Sequence, residues 1–344
     1  MLIEIVTLFL GVSLLFYCLF AGADFGAGIL EFFHSKENRA GQQEVISHAI
    51  APVWEANHVW LILAVVILFN GFPNAYRVLS ITFHIPLTLM LIGIILRGCA
   101  FTFRHYDAIK DKYQAHYTRI FTTSSILTPF MLGVIAGGML LGRYANPADG
   151  FYANFISPWL NPFSFAVGLL TCTLFAFLAA VYLVGETTDE SLRRIFINRA
   201  KQMNIASIVA GLLVFAGAYV SGFPLIDQFS AHPICILSMG IATILLIPLW
   251  TALKRNRIWF CRLLAATQAI LVLIGWFALQ FPTLIMSSEN GLPVPITIYN
   301  AAAPEATLLQ LVLALVIGIL IIFPALCLLF SVFKNKAQNV TPKG

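Results

Sequence analysis

Nine long apolar segments constrain what this chain can fold into. Each is about as long as the roughly 20 residues that an α-helix needs to cross a bilayer core about 30 Å thick. Hydrophobic residues make up 60% of the 344 residues and charged residues only 10%, which excludes a water-soluble globule. The predicted spans cover residues 3–33, 48–69, 77–100, 122–142, 164–186, 203–222, 233–253, 259–281 and 306–333. The sequence therefore predicts an all-α membrane protein with nine transmembrane helices.

The basic residues predict how these spans are oriented. Lys and Arg accumulate in the loops on the cytoplasmic side of a membrane. The even-numbered loops hold only Arg77 and Arg143, and Arg97 lies near the end of a span. All the others fall in the odd-numbered loops or the tail: Lys36, Arg39, Arg104, Lys110, Lys112, Arg119, Arg193, Arg194, Arg199, Lys201, Lys254, Arg255, Arg257, Arg262, Lys334, Lys336 and Lys343. We therefore expect the amino terminus outside and the carboxyl terminus in the cytoplasm. The net charge of +5 then reflects this orientation and not nucleic-acid binding.

Two long segments between spans predict the domain organisation. Residues 143–163 and 282–305 each follow an even-numbered span and resemble no soluble domain. The whole chain is therefore one polytopic membrane domain, predicted to contain a first four-helix unit over residues 1–142, a second over residues 164–281, and a ninth helix over residues 306–333. Parallel repeats of this kind need an even number of helices in each unit.

Two carboxylates inside predicted spans are the leading functional candidates. Asp24 lies in the first span and Glu55 in the second, although an acidic side chain at the centre of a membrane helix costs roughly 3 kcal/mol. From a rise of 1.5 Å per residue, Asp24, Glu55 and Arg97 lie roughly 14, 10 and 10 Å inside the cytoplasmic ends of the first three spans. One layer therefore holds two acids and a guanidinium, which predicts a proton relay. The alternative is a structural ion pair between Arg97 and either acid.

The residues around Glu55 are candidates for support of this route. His58 lies three residues after Glu55 and four residues after Trp54, so the three side chains share one helical face. His58 is predicted to carry protons, and the alternatives are a haem ligand and a hydrogen-bonded interior histidine. Trp54, Asn57 and Trp60 are predicted to support the route. The two tryptophans are predicted to shape a gas or water path, with aromatic packing between helices as the alternative.

The small residues of the spans predict packing and not chemistry. Gly22, Gly26 and Gly28 have the small-xxx-small spacing of closely packed membrane helices. The six cysteines include no CxxC pair, so the sequence predicts neither a metal site nor a disulfide framework. No cofactor-binding site and no catalytic residue is predicted in this chain.

Two motifs make the chain resemble a known family. The family's first-helix motif, D-G-F-D-x-G-x-G, is matched at Gly22, Asp24, Gly26 and Gly28, whereas Ala21 replaces its first acid. Its second-helix motif, P-x-W-(D/E)-(G/A)-N-x-V-W-L, is matched throughout residues 52–61. Further similarity lies at residues 160–163, 281–288 and 307–308, so that the resemblance spans essentially the whole chain. The family that the chain resembles is subunit II of the cytochrome bd-type quinol oxidases.

The resemblance implies a function in respiratory electron transport. Such oxidases take electrons from quinol in the bacterial cell membrane and reduce dioxygen to water with protons from the cytoplasm. The haems, b and d or b only, are expected in a larger partner, subunit I. This chain would support that partner and contribute a proton route. The resemblance leaves open oxygen access through this chain, small single-helix subunits, and a bound quinone or membrane lipid.

Two other functions fit the membrane carboxylates. A proton-coupled secondary transporter also places acidic residues near the middle of the bilayer. However, Pro52 lies in the first turn of its predicted helix and does not break it, whereas transporters commonly have broken helices at such sites. A scaffold without a conduction role is the third reading.

The predicted topology can be tested by labelling engineered cysteines. A cysteine at Asn256 should react with a membrane-impermeant thiol reagent only from the cytoplasmic side, and one at Asn290 only from outside. Each residue lies in a loop that the basic-residue pattern assigns to that side. Reversed or equal labelling would contradict the placement of Asp24, Glu55 and Arg97 in one cytoplasmic layer.

Overall fold

The chain is almost entirely helical, with one small β-hairpin near its carboxyl-terminal end. The structure, a computed structural model, describes residues 1–33, 38–106, 114–144, 149–289 and 291–339. Its elements are α1 (Leu2–Phe32), α2 (Arg39–Gly71), α3 (Pro73–Thr82), α4 (His84–Tyr106), α5 (Gln114–Leu141), α6 (Phe151–Phe155), α7 (Pro162–Val184), α8 (Glu190–Val220), α9 (Leu225–Ala231), α10 (Pro233–Ile244), α11 (Leu246–Lys254), α12 (Ile258–Gln280), β1 (Thr283–Glu289), β2 (Leu292–Thr297) and α13 (Glu305–Asn339).

Several residues used above lie outside this description. They include the loop residues Lys36, Lys110 and Lys112, the labelling position Asn290, and Lys343 in the tail. Within the helices, the side chains of residues 51–53, 55–56 and 105–106 and of several positions in α13 are also outside it. The side chain of Glu55 is therefore not described, although its backbone is part of α2.

The predicted class is confirmed. Within the described ranges, eight helical segments are long and apolar enough to cross a membrane: Leu2–Phe32, His84–Arg104, Gln114–Leu141, Pro162–Val184, Glu190–Val220, Pro233–Lys254, Ile258–Gln280 and Glu305–Ile322. The ninth candidate is the end of α2 (Asn57–Gly71), which with α3 forms a pair bent by 116°. The division into two four-helix units stays a prediction.

Proline positions explain an interruption in each of two predicted spans. The predicted span over residues 77–100 is divided at Phe83, and only α4 continues as the crossing helix. Pro86 has no N–H to donate to the carbonyl four residues earlier, so α3 cannot continue through it, whereas the first turn of α4 needs no such donor. Likewise, the predicted span over residues 233–253 consists of α10 and α11, which meet at Leu245, three residues before Pro248.

Helices longer than the membrane correct the placement of several basic residues. The sequence places Arg104 and Arg262 in loops, but the structure places them in α4 and α12. Each is held there by a carboxylate 2.7 Å away, from Glu31 and Glu186 respectively. Helices of more than 30 residues, such as α2 and α8, are about 45–50 Å long and therefore extend beyond a 30 Å core.

The two ends of the bundle differ. At the hairpin end, Val6 of α1, Ile285 of β1 and Leu311 of α13 belong to one buried apolar cluster. At the opposite end, here called the Glu31 end, α1 finishes and Arg199 of α8 donates to the carbonyl of Phe33. Because α1 and α13 both begin at the hairpin end, α13 runs toward the Glu31 end. Which end faces the cytoplasm stays a prediction.

Helix α7 lies at the centre of the bundle and α1 packs directly on it. Residues of α7 that are at most 2% exposed include Phe175, Ala176, Phe177, Ala179 and Ala180. A Cβ atom on Gly26 of α1 would lie 2.0 Å from the carbonyl oxygen of Phe175, and one on Gly22 would lie 2.6 Å from the Leu178 side chain. The small-residue pattern of α1 therefore serves close helix packing, as predicted.

This contact predicts a sharp difference between two glycines of α1. Gly26→Ala should destabilise the purified protein by about 1–3 kcal/mol or more, because the backbone of α7 must move to admit the methyl group. Gly11→Ala is the matched control, since nothing lies within 4 Å of a Cβ atom there. Thermal unfolding in detergent should show a lower midpoint only for Gly26→Ala. Equal midpoints for the two variants would contradict the close approach.

Candidate functional site

A buried ion pair joins α1 and α4 in the interior of the bundle. The Arg97 Nη2 atom lies 2.6 Å from Asp24 Oδ1, and Nη1 donates to Asp24 Oδ2 at 3.1 Å. Nη2 also donates to the backbone carbonyl of Asp24 at 2.9 Å. The side chains of Asp24 and Arg97 are 0% and 1% exposed. The sequence-based prediction that Asp24 and Arg97 lie in one layer is confirmed by this contact.

A third helix contributes Asn57 to the same carboxylate. Its Nδ2 atom donates to Asp24 Oδ2 at 3.3 Å, and the residue is 1% exposed. Its Oδ1 atom is buried without a hydrogen-bond partner among the described residues. The site therefore retains an acceptor that can receive a hydrogen bond from a water molecule or from a protonated acid.

Side chains of α5 and α1 contact the guanidinium of Arg97. The Nε atom donates to Ser125 Oγ at 3.1 Å, and Ser125 in turn donates to the carbonyl of Phe121 at 2.6 Å. The rings of Phe25 and Phe121 lie 4.7 and 4.9 Å from the guanidinium carbon, within cation–π distance. Each of the three guanidinium nitrogens thus donates to an acceptor, and two aromatic rings lie within cation–π distance of the guanidinium carbon.

The charges of this site are compensated within it. An unpaired charge buried in a membrane protein is expensive, and such residues pair with one another and with backbone carbonyls. Arg97 bonds to both the carboxylate and the backbone carbonyl of Asp24, and the pair has no net charge. A single proton added to Asp24 would leave the site with the charge of Arg97 alone. The arrangement can thus hold either a bound proton or a neutral pair.

The structure places the other predicted residues on α2. Glu55 precedes Asn57 by two residues, but its side chain lies outside the description. His58 is half-buried, and its Nδ1 atom lies 2.8 Å from the carbonyl of Trp54. The Trp54 ring packs edge-to-face on His58 at 5.5 Å, and the Trp60 ring stacks on Phe16 at 4.5 Å. The structure thus brings Asp24, Arg97 and Asn57 into contact, whereas His58 bonds to the backbone of its own helix.

Sequence reasoning missed a second acid–arginine pair at the Glu31 end. Arg104 Nη1 lies 2.7 Å from Glu31 Oε1, and Gln43 Nε2 donates to the same oxygen at 2.9 Å. Arg104 Nη2 also donates to Ser47 Oγ at 3.1 Å. Glu31 falls near the end of the first predicted span, where an acid is unremarkable. The available signal was spacing, because seven residues separate Asp24 from Glu31 and Arg97 from Arg104 alike.

Possible metal ligands are dispersed through the part of the chain that the structure describes. No group of three or more His, Cys, Asp or Glu side chains lies close enough there to hold a metal ion. His84, like His58, uses Nδ1 toward a backbone carbonyl, that of Ile81 at 2.9 Å.

Comparison with known proteins identifies the family. The model of the cytochrome bd terminal oxidase subunit II family matches residues 2–333. Cytochrome bd ubiquinol oxidase subunit 2 of Bacillus subtilis (strain 168) is 26% identical over 97% of this chain and 97% of its own length. Cytochrome bd-I ubiquinol oxidase subunit 2 of Escherichia coli (strain K12) is 23% identical over 93% of this chain and 91% of its own length.

The fold agrees with this assignment. A chain from the structure of bd oxidase from Geobacillus thermodenitrificans superimposes with a TM-score of 0.76, at 21% identity, over 96% of this chain and 98% of that one. The family match spans the buried pair and nearly all of the described helices. This chain belongs to the cytochrome bd terminal oxidase subunit II family.

Proposed function

We propose that this subunit carries protons from the cytoplasm toward the haem-bearing partner of a bd-type quinol oxidase. The family is a subunit of a quinol:O2 oxidoreductase complex in the bacterial cell membrane. A proton-coupled transporter is not supported, since the family model and the relatives are oxidase subunits. The proposal assigns a route within that complex, with the haems in the larger subunit I.

The contact of Asp24 with Arg97 and Asn57 carries this proposal. Asp24 is a fully buried carboxylate whose charge is compensated by one arginine, so in this scheme it alternates between the ionised form and the neutral acid. The Oδ1 of Asn57, which has no hydrogen-bond partner among the described residues, offers the next acceptor on α2, the helix that also carries Glu55 and His58. Polar groups from three helices therefore line up within one layer of an otherwise apolar bundle.

The roles follow from the chemistry of each group. Asp24 and Glu55 exchange protons, and Arg97 stabilises the ionised form of Asp24. Asn57 orients the carboxylate, while Trp54 and Trp60 limit the width of the path around α2. His58 is a further carrier in this scheme, and its Nδ1 lies 2.8 Å from the carbonyl of Trp54. The alternative is that the same cluster only joins helices.

Removing the proton-exchanging groups should slow turnover in an intact complex. Glu55→Gln keeps size and hydrogen bonding but cannot titrate, so quinol-dependent oxygen uptake should fall by roughly a hundredfold. Asp24→Asn should have the same effect on rate, measured per assembled complex because this change leaves the Arg97 cation buried without its anion. Glu55→Asp should retain part of the rate. Glu4→Gln is the control, because Glu4 pairs with the amino terminus at the exposed start of α1. Wild-type rates for both titration-blocked variants across pH 6 to 9 would reject the route and favour a structural cluster.

Loss of Arg97 should harm assembly more than catalysis. Arg97→Leu leaves Asp24 buried without its cation, which is expected to cost about 3–5 kcal/mol. The amount of complex recovered from the membrane and its thermal midpoint should both fall. Arg143→Leu, at an exposed arginine bound to Ser157, should change neither.

A double variant separates charge from packing in this test. Asp24→Asn with Arg97→Leu removes both charges, so it should recover most of the assembled complex while staying inactive. If Arg97→Leu alone assembles at the wild-type level and melts at the wild-type temperature, the pair is not required for the fold.

A further inference from the structure

The Asp24–Arg97 pair is one of two equivalent pairs on the same two helices. Glu31 lies seven residues after Asp24 on α1, and Arg104 lies seven residues after Arg97 on α4. Seven residues are about two helical turns, so both pairs lie on one face of each helix and are separated by about 10 Å along its axis. The second pair is nearer to the Glu31 end of the bundle.

The second pair connects the interior with the surface. Glu31 is 1% exposed, whereas Arg104 is 11% exposed. The Oε1 atom of Glu31 accepts hydrogen bonds from both Arg104 and Gln43, and Arg104 also reaches Ser47. Three helices thus converge on one buried carboxylate at the point where α1 ends. Stability alone does not account for this pair, because replacing a buried ion pair with apolar residues of similar volume is often neutral or stabilising.

A glycine, a hydroxyl group and an aromatic ring lie between the two pairs. Gly28 lies between Asp24 and Glu31 on α1, and a Cβ atom there would lie 2.2 Å from Ser125 Oγ. The same Ser125 hydroxyl accepts from Arg97 Nε. The ring of Phe121 lies between the two guanidinium groups, 4.9 Å from that of Arg97 and 4.5 Å from that of Arg104. The absence of a side chain at Gly28 thus places a hydroxyl beside α1 between the carboxylates.

We propose that Glu31 is the entry carboxylate of the proton route, which supplies Asp24 from the Glu31 end. This inference rests on the proposed function. Glu31 takes one proton from water that reaches Arg104 and becomes the neutral acid. It passes that proton to Asp24 through water beside the Ser125 hydroxyl and returns to the carboxylate, so charge and protons balance in each cycle. Arg104 is a positioning residue: its guanidinium holds the Glu31 carboxylate in place and compensates its charge between transfers.

The test compares two carboxylates at the same end of the bundle in the purified, intact oxidase. Glu31→Gln keeps an acceptor for Arg104 and Gln43 but cannot carry a proton, so oxygen uptake should fall about tenfold or more, increasingly as pH rises and protons become scarce. Glu31→Asp should restore part of the rate. Glu186→Gln is the matched control. Glu186 also pairs with an arginine, Arg262 at 2.7 Å, but it belongs to neither α1 nor α4, the helices that carry the two pairs.

The outcomes distinguish this inference from the proposed function. A wild-type rate and pH profile in Glu31→Gln, together with a slow Asp24→Asn enzyme, would overturn the entry role and leave the route through Asp24 intact. Wild-type rates in both would overturn both. An equal fall in Glu186→Gln and Glu31→Gln would show a general loss of structure and also reject the entry role.

A second variant keeps the test decisive if Glu31→Gln does not assemble. Glu31→Gln combined with Arg104→Gln removes both charges together, which avoids an unpaired buried cation. A slow rate in this assembled variant supports the entry role, and a wild-type rate rejects it.

Discussion

The desolvation of charge inside an apolar bundle governs the arrangement of this subunit. The side chains of Asp24 and Arg97 are at most 1% exposed, so each finds its partners inside the bundle. That requirement fixes the rotation of α1 and α4 about their axes and brings α2 and α5 close enough to supply Asn57 and Ser125. The apolar surface of the other helices then packs around a polar centre whose geometry is already determined.

Close packing and polar pairing depend on each other on opposite faces of α1. Gly22 and Gly26 let α7 approach, and Gly28 admits Ser125 of α5. Larger residues at these positions would move α1 away from α7 or α5, and Ser125 would no longer reach Arg97. The glycine motif that looks structural in the sequence thus also positions the site, because it sets the distances at which side chains from other helices meet Asp24.

The sequence was sufficient for features that depend on composition or on rare residues. Apolar length predicted the crossing helices, and the cost of membrane charge identified Asp24 and Arg97 before their contact was visible. It was insufficient where partners lie far apart in the chain. Glu31 and Arg104 looked like residues of a span end and a loop, since only the fold brings α1 beside α4. Hydropathy alone also does not register the bend between α2 and α3, which lies immediately before Pro73, the first residue of α3.

The contact between Gly26 and Phe175 also limits how the subunit can move. With the α7 backbone directly against α1, neither helix can rotate or slide past the other without a collision. We therefore expect the two helices to move as one rigid unit. In the proposed proton route, rearrangements would then fall to side chains and to elements outside this pair, so that gating would not require the bundle to open.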